Sequence, residues 1–283
     1  MVIPNLALNY LPHRIAQAQG FYREAGLDVD VQIMQSNAGL AAIVSGEVAF
    51  GDYTGSAIRA AARGLPVRLV ECHGVRPIYH LALAPGLQSL ADVDGKAVGI
   101  GAIGADTDVF ARDLVRKYGG DPSKLEFDAL GASNVRFAAL MSGRVGAAIL
   151  LITETVQARD ADLTVLGTAD DMPLGCDSGV VVTVDAYTQR PQEVRDIIGA
   201  VRKAVQFMQQ DRTESVRLLA EWQQVEPRQA AQAYDLASVQ TSYSLDKAAG
   251  QRAIENALAF SKQAGEVDPG VQLSDVADLA LVP

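Results

Sequence analysis

The chain alternates short apolar runs with segments whose apolar residues recur at helical spacing. Runs such as Val48–Gly51, Leu65–Cys72 and Lys96–Ile100 are typical of buried strands, because each is short and bounded by glycine or polar residues. Asp106–Tyr118 instead gathers its apolar residues on one helical face. Strands that alternate with helices at this pace predict βαβ units, a parallel sheet and the α/β fold class.

The same signals predict the remaining elements. Further strands are expected at Val2–Tyr10, Leu27–Met34, Leu125–Leu130 and Val180–Val184, and further helices at Ile15–Ala25, Gly39–Val44 and Ala57–Arg63. After the last strand the pattern becomes helical, with predicted helices at Pro191–Gln210, Glu214–Glu221, Pro227–Leu236 and Lys247–Ala264.

One segment occurs twice. Ala42–Val48 and Ala139–Val145 share the order of helix end, Ser-Gly and strand start, at an offset of 97 positions from Ser45 to Ser142. One repeat is too little for a solenoid but enough for two similar α/β lobes. We expect crossings between lobes near Ala82–Pro85 and Gly179–Thr183, with residues 1–83 and 183–283 in one lobe and 84–182 in the other.

Composition narrows the function classes. The chain has 283 residues, with 24 Lys and Arg against 34 Asp and Glu, for a formal net charge of −10. A protein that binds nucleic acid mainly through phosphates needs a basic face, so nucleic acid is not expected as a partner. No apolar stretch is long enough to span a membrane.

The two cysteines, Cys72 and Cys176, exclude a disulfide scaffold and leave the compartment open, because two buried free thiols are an equally good interpretation. From Met1 the chain enters a predicted strand directly, with no basic segment, apolar core or cleavage site. It is therefore either cytoplasmic or an exported protein whose signal peptide has been removed.

The loops that follow the predicted strands are the candidate ligand site. In open α/β sheets, ligands bind outside the carboxyl ends of the strands, where helix N-termini offer free N–H groups. A cleft between two lobes rimmed by such loops is the default place for a ligand. Many of these residues have a second interpretation as ordinary helix caps. The loops are Leu11–Arg14, Ser36–Gly39, Asp52–Ser56, Ala102–Thr107, Gly131–Asn134 and Leu151–Glu154.

Several motifs, in a fixed order, resemble the nitrate/sulfonate/taurine type of ABC-transporter solute-binding protein, a group that includes the NMT1/THI5-like thiamine-pyrimidine binders. The similarity runs to about Gln210. The motifs are Tyr10–Tyr22, Ala25–Val29, the two Ser-Gly segments, Ala62–Val67, Leu90–Lys96 and Val98–Gly101.

The resemblance implies a type II periplasmic-binding-protein fold, with two Rossmann-like lobes joined by a two-strand hinge and a helical C-terminal part. It also implies a periplasmic monomer that closes on a small-molecule ligand and delivers it to an ABC permease in the membrane. It favours a sulfonate, a carboxylate or an aromatic heterocycle as the ligand, and no cofactor.

Carried over by position, the family's cleft falls on residues from both lobes. At Leu151–Glu154 the chain lacks the aromatic residue that many members place there, so no stacking platform is expected on that side. Arg76 is either the partner of an anionic ligand, because a guanidinium holds a carboxylate or sulfonate with two hydrogen bonds, or a surface ion-pair residue. The implied ligand-binding residues are Leu11, His13, Asn37, Asp52, Tyr53, Thr54, Arg76, Gly104, Asp106, Thr107, Ser133, Asn134, Glu154 and Asp177.

Other motifs carry less weight. The glycines of the segment 99–104 match the dinucleotide fingerprint, but this unit mirrors another lobe that lacks those glycines, which argues against NAD. The spacings of His13, His73 and His80, taken with Cys72, match no compact ligand pair on a helix, so no metal is expected. Of these residues, we expect only His13 to contact ligand.

Two other function classes remain open beside the receptor. An enzyme on the same scaffold, of the pyrimidine-precursor-synthase or decarboxylase kind, is the main alternative, although the synthases' cysteine-rich motif is missing. There is also no Gly-x-Ser-x-Gly elbow and no obvious Ser/His/Asp set. The effector domain of a transcription regulator is the third, and no helix-turn-helix segment precedes Pro4. A receptor, and not an enzyme, is the expectation.

Overall fold

A computed structural model describes residues 1–93, 95–104, 106–167, 171 and 173–283, and the side chains of Ser36 and Asp106 lie outside this description. Contacts divide the chain into two compact units. The first comprises Met1–Pro77, Leu174–Tyr234 and Val239–Pro283, and the second comprises Ile78–Pro173 and Asp235–Ser238. The mixed α/β class predicted from the sequence is confirmed.

The strands, numbered along the whole chain, form one sheet in each unit. The first unit holds β1 (Val2–Ile3), β2 (Gln32–Ile33), β3 (Phe50–Gly51), β4 (Val67–Gly74) and β10 (Ser178–Thr183). The second holds β5 (His80–Leu83), β6 (Val98–Ile100), β7 (Phe127–Ala129), β8 (Ala147–Leu150) and β9 (Val165–Leu166).

The two sheets share one topology. Their orders are β2-β1-β3-β10-β4 and β7-β6-β8-β5-β9. In each, the second strand of the order (β1 or β6) is parallel to both neighbours, and one strand (β10 or β5) runs antiparallel to the strands on either side of it. The carboxyl ends of the parallel strands therefore meet the amino end of the antiparallel strand at one edge, which we call the carboxyl edge of each sheet.

The helices connect these strands and fill the C-terminal third. Those of the first unit before the crossing are α1 (Leu11–Ala18), α2 (Phe21–Glu24), α3 (Ser36–Val44) and α4 (Thr54–Ala62). The second unit has α5 (Asp106–Lys117), α6 (Ser133–Met141) and α7 (Ile152–Asp160). The remainder are α8 (Val184–Gln189), α9 (Pro191–Gln210), α10 (Arg212–Gln223), α11 (Pro227–Leu236), α12 (Val239–Ser242), α13 (Lys247–Gln263) and α14 (Leu273–Val276). No helix among the described residues has the length and apolar character that crossing a bilayer requires.

The first elements differ from the prediction. The strand expected over Val2–Tyr10 ends at Ile3, because Pro4 follows with a fixed φ and no N–H to donate. The helix expected over Ile15–Ala25 begins earlier, at Leu11, with Pro12 in its first turn, where a missing N–H costs nothing. It ends before Gly20, whose φ of +79° separates it from α2.

The strands beside the two crossings, β5 and β10, belong to different units from those expected. The sequence analysis assigned β5 to the first lobe and nearly all of β10 to the second, and the structure reverses both assignments. β5 pairs with β8 and β9 in the second sheet, and β10 pairs with β3 and β4 in the first. The chain therefore crosses after Pro77 and returns at Leu174, a few residues before each expected crossing. Both strands are short apolar runs, so only their pairing assigns them to a unit.

The sequence repeat is also a structural repeat. The Ser45 and Ser142 hydroxyls close the ends of α3 and α6 by donating to the carbonyl oxygens of Ala42 and Ala139, at 3.1 and 3.0 Å. A glycine with positive φ follows in each case, which a turn out of the helix requires. The offset of 97 positions also relates the first residues of the two helices, Ser36 and Ser133.

Candidate functional site

A buried histidine–aspartate hydrogen bond lies at the carboxyl edge of the first sheet. The first turn of α1 supplies His13, and the loop that follows β3 supplies Asp52. His13 Nε2 is 3.0 Å from Asp52 Oδ2, and both side chains are fully buried. His13 Nδ1 is 3.3 Å from the Tyr22 hydroxyl. The resemblance implied both His13 and Asp52 as ligand contacts. The structure brings them together, but they bond to each other in the interior of the unit.

The first residues of β10 extend this pair. The Ser178 hydroxyl donates to Asp52 Oδ2 at 2.6 Å and lies 2.9 Å from His73 Nε2. The Gly179 N–H donates to Asp52 Oδ1 at 3.1 Å. A Cβ on Gly179 would lie 2.1 Å from the Glu71 carbonyl oxygen, so only glycine permits this close approach of β10 to β4. The Asp52 carboxylate therefore accepts hydrogen bonds from α1 and from β10.

A second buried acid ends the network on β4. Glu71 Oε2 is 3.5 Å from His73 Nδ1, and Arg202 of α9 donates to Glu71 Oε1 at 3.1 Å. Arg202 also donates to the Leu245 carbonyl oxygen at 2.7 Å. Pairing with Arg202 offsets part of the cost of burying the Glu71 charge.

The network contains a Glu71–His73–Ser178 sequence of contacts, which resembles a catalytic triad in order. Sequence inspection did not find it, because a serine 105 positions from a histidine gives no local signal. The Ser178 side chain is fully buried and its proton is directed to Asp52, so it does not present a nucleophile to solvent. These contacts hold strands together.

Burial sets the protonation of this region. It lowers the pKa of His13, because desolvation disfavours the imidazolium, while the contact with Asp52 acts in the opposite direction. Burial and the nearby Asp52 raise the pKa of the Tyr53 hydroxyl to about 12. His13 and Tyr53 are therefore neutral near pH 7.

The other predicted residues of the first unit are partly structural. Leu11 is buried in the core. The Tyr53 hydroxyl donates to the Met34 carbonyl oxygen at 2.7 Å, and the Thr54 hydroxyl donates to that of Cys176 at 3.1 Å. Asn37 is exposed, and Arg76 and Asp177 are half-buried. That these residues contact ligand stays a prediction.

A disulfide lies beside both crossings, just before the first and just after the second. Cys72 in β4 is bonded to Cys176, which precedes β10. The sequence left open whether these cysteines form a disulfide or remain free thiols, and the structure shows the disulfide. The bond ties together the segments through which the chain leaves and re-enters the first unit.

The carboxyl edge of the second sheet carries the other predicted residues. Thr107 Oγ1 accepts a hydrogen bond from the Gly101 N–H at 3.0 Å, and the exposed Gly104 donates its N–H to Asp108 at 2.8 Å. Asp106 begins α5, and its side chain lies outside the described part of the structure. These bonds fix the turn between β6 and α5.

Ser133 and Glu154 contact each other although they come from different loops. The Ser133 hydroxyl donates to Glu154 Oε2 at 2.6 Å and accepts from the Leu151 N–H at 3.0 Å. Their bond joins the start of α6 to the first turn of α7. Asn134, the next residue, is exposed.

Sequence reasoning missed Arg136, which lies on α6 behind this edge. Its side chain is 3% exposed, and its Nε donates to the Ile149 carbonyl oxygen at 2.6 Å. Its Nη1 donates to the Gly131 carbonyl oxygen. Burial lowers the pKa of the guanidinium, and Tyr79 and Glu154 oppose this shift. The available signal was a lone arginine on the buried face of a short amphipathic helix.

A separate groove of about 430 Å³ lies at the opposite edge of the first sheet. It is lined by the amino ends of β1, β2 and β3 and by carboxylates, including Asp28, Asp30 and Glu47. This acidic lining is unsuited to an anion, and no predicted site residue belongs to it.

The fold is similar to those of several solved structures. Among solved structures, the chain is similar to the alkanesulfonate-binding protein SsuA from Xanthomonas axonopodis pv. citri bound to MOPS, with a TM-score of 0.71 and 16% identity over 98% of this chain and 96% of that one. The periplasmic aliphatic sulphonate binding protein SsuA from Escherichia coli gives a TM-score of 0.71 and 15% identity over 97% and 90%. A DszB variant in complex with biphenyl-2-sulfinic acid gives a TM-score of 0.75 and 15% identity over 100% and 97%.

At these identities the likeness concerns the fold, and it confirms the periplasmic-binding-protein fold that the resemblance implied. No curated protein sequence matches the chain. The family model described as NMT1/THI5 like matches residues 7–215, which confirms the family resemblance of the sequence motifs. The chain is a member of the NMT1/THI5-like family.

Proposed function

We propose that this protein is the solute-binding component of an ABC importer, and that it captures a small organic anion at the carboxyl edges of its two units by hinge closure. Membership of the family and the fold shared with sulfonate-binding proteins support a solute-binding role. Both edges also present loops that begin helices, where free N–H groups favour anions. Capture works by a shift in population, because a ligand that contacts both units favours the closed state.

The observation that carries the anionic class is Arg136. It donates to two carbonyl oxygens, and none of the described carboxylates is in ion-pair contact with it. An almost fully buried positive charge that no carboxylate contacts is costly; Glu154 offsets part of that cost from a distance, and an anionic ligand in direct contact would offset more of it. This assigns to Arg136 the role that the sequence analysis gave to Arg76, which stays a second candidate.

Exposed apolar side chains around the same edge support an organic ligand. Ile103 follows β6, Val135 lies in the first turn of α6 and Leu151 follows β8; they are 62%, 47% and 44% exposed. Since β6, β7 and β8 are neighbours, these three residues belong to adjacent loops. A ligand with an anionic head and an apolar body fits this combination.

The disulfide supports an exported, periplasmic protein, because such bonds persist in oxidising compartments and are rare in the bacterial cytosol. A monomer that meets a membrane permease fits this location. Export also accords with a receptor better than with a biosynthetic enzyme.

Binding measurements on Arg136→Gln test the proposal. Isothermal titration of wild-type protein with alkyl and aryl sulfonates, matched carboxylates and neutral alcohols should single out anions. Arg136→Gln should weaken the best anion by about 10- to 100-fold, the value of one or two charge-assisted hydrogen bonds. Arg144→Gln, which removes an exposed guanidinium after the same helix, is the matched control and should change nothing.

Two further results complete the test. The ligand recovered after overnight incubation should be chemically unchanged, and small-angle scattering should show compaction only when it is present. A transformed product would instead favour the enzyme on this scaffold. Equal affinity of wild-type protein and Arg136→Gln for the anion would remove Arg136 from the site.

A further inference from the structure

Three potential metal ligands meet inside the first unit. His13, Asp52 and His73 each offer one potential ligand atom, and these atoms lie within 4.8 Å of one another. The residues come from α1, from the loop after β3 and from β4, and all three are fully buried. Two imidazoles and a carboxylate are a donor set that binds zinc and related divalent transition metals.

The outer contacts of the histidines match those of metal ligands. A ligating imidazole usually holds its second ring nitrogen against a carboxylate or another polar group, which fixes its orientation. Here Nδ1 of His13 faces the Tyr22 hydroxyl at 3.3 Å, and Nδ1 of His73 faces Glu71 Oε2 at 3.5 Å. Both Nε2 atoms consequently turn inward, toward Asp52 and Ser178.

In the metal-free network, two buried polar atoms, one on His73 and one on Glu71, lack a hydrogen-bond partner. The Ser178 hydroxyl gives its proton to Asp52, so it must accept a proton from Nε2 of His73. The outer contact of His73 is not satisfied, because its Nδ1 lies 3.5 Å from Glu71 Oε2. Consistent with this, His73 Nδ1 and Glu71 Oε2 are buried atoms without a hydrogen-bond partner.

A metal ion on Nε2 removes this defect. Coordination through Nε2 requires the neutral imidazole to carry its proton on Nδ1, from which His73 donates to Glu71. The same tautomer of His13 donates from Nδ1 to the Tyr22 hydroxyl. Arg202 already holds the other oxygen of Glu71, and the Gly179 N–H holds the other oxygen of Asp52.

We propose that His13, Asp52 and His73 bind a divalent transition metal, with zinc as the reference ion and Ser178 Oγ facing the fourth coordination position. The donors are fully buried, so the ion is taken up as the chain folds and adds its binding free energy to the stability of the first unit. The site is separate from the edge of the second unit to which we assign the anion.

Zinc itself is the probe that tests the site. Full-length protein is stripped with EDTA, exchanged into chelator-free buffer, and unfolded and refolded with ZnCl₂ against a chromophoric chelator. We expect one ion per chain and a higher Tm than without zinc. His73→Ala and Asp52→Asn should weaken binding by at least about 100-fold, more than the loss usual for outer contacts. His80→Gln, which changes a buried histidine of the second unit, should bind as the wild type does.

Two further measurements test the site even if the variants of the ligating residues do not fold. Ser178→Ala keeps the three donors and should still bind one zinc ion per chain. X-ray absorption spectroscopy of the zinc form of the wild type should show two imidazoles among nitrogen and oxygen ligands at about 2.0–2.2 Å. Absence of stoichiometric binding by the wild type, fewer than two imidazoles, or unchanged affinity in folded His73→Ala would each overturn the proposal.

Discussion

The first unit buries a chain of charged and polar groups at the carboxyl edge of its sheet, whereas the second unit buries an arginine at the equivalent edge. At the offset of 97 positions, Asp52 corresponds to Ile149, and Arg136 corresponds to Gly39. Thus the acid that organises the first edge is replaced by an apolar strand residue in the second. The arginine of the second edge is replaced by a glycine in the first.

This difference shows that two units of the same topology can bury different polar groups at the same edge of the sheet. In the first unit, Asp52 accepts from His13, Ser178 and the Gly179 N–H, so its acceptor capacity is used within the unit. In the second unit, Arg136 donates to carbonyl oxygens, and among the described residues Glu154 stabilises its charge only without direct contact. We infer that the first edge contributes mainly to stability and the second mainly to ligand binding.

The largest expected effect comes from the covalent bond that only the first unit has. Replacing both Cys72 and Cys176 by serine opens a loop with a sequence separation of 104. Chain-entropy arguments give a loss of about 4–5 kcal/mol for such a loop. Urea unfolding followed by the fluorescence of Trp222, the single tryptophan, reports on the first unit. A loss below about 1 kcal/mol would show that the network alone holds the two crossings.

Removing the central acid should come next in size. Asp52→Ala leaves the proton donors of His13, Ser178 and Gly179 without their acceptor, and we expect a loss of about 3–5 kcal/mol. The same urea unfolding, with EDTA present, measures it. Glu24→Ala removes an exposed carboxylate of the first unit that pairs with Lys203 and should cost under about 1 kcal/mol. Equal losses in the two variants would contradict the stabilising role of the first edge.

Acid should test a buried histidine of the second unit. Burial and, to a smaller extent, Arg159 lower the pKa of His80 to about 4, while Asp171 opposes the shift. The unfolded chain takes up this proton near pH 6.5, so His80 stabilises the fold above that pH. The contribution is lost as the pH falls toward 4 and amounts to about 3 kcal/mol.

The measurement compares the wild type with His80→Gln, because carboxylates titrate in the same pH range in both proteins. The difference between their free energies of unfolding should change by about 3 kcal/mol from pH 7 to pH 4, with the wild type losing more. Parallel pH profiles would mean that folding does not shift the pKa of His80.

The smallest effect concerns the glycine that stands where the second unit has Arg136. A Cβ on Gly39 would lie 1.9 Å from the Tyr53 hydroxyl oxygen, which its bond to Met34 holds in place. Gly39→Ala should therefore cost about 1–3 kcal/mol in urea unfolding. Gly199→Ala, in the open interior of α9, meets nothing within 4 Å and should stabilise by up to about 1 kcal/mol. A stabilised Gly39→Ala would show that α3 tolerates side chains as α6 does.

Elements with strong local signals were predictable from the sequence. The bounds of α9 and α11 agree with the prediction, because each begins at a proline suited to a first helical turn and continues with an apolar stripe. The α/β class, the repeat and the family follow from patterns that are local or ordered along the chain. None of these depends on which residues meet in space.

The contacts that define the two edges were not predictable. β5 and β10 are alike as apolar runs, and only hydrogen bonding assigns them to their sheets. Cys72 and Cys176 gave two equal interpretations until the strands fixed their separation. Arg136 differs from a surface arginine only in the face of α6 on which it lies, and that face is defined by packing.

The sequence by itself determined the class of the fold, the repeat, the family and the long C-terminal helices, because capping, periodicity and motif order act over a few residues at a time. The tertiary structure decided that His13, Asp52 and His73 bring buried ligand atoms within 4.8 Å of one another and that Arg136 lies behind the second edge. These residues belong to elements far apart in sequence. Parallel pairing of β1 with β3, and antiparallel pairing of β10 with β4, bring the first set together.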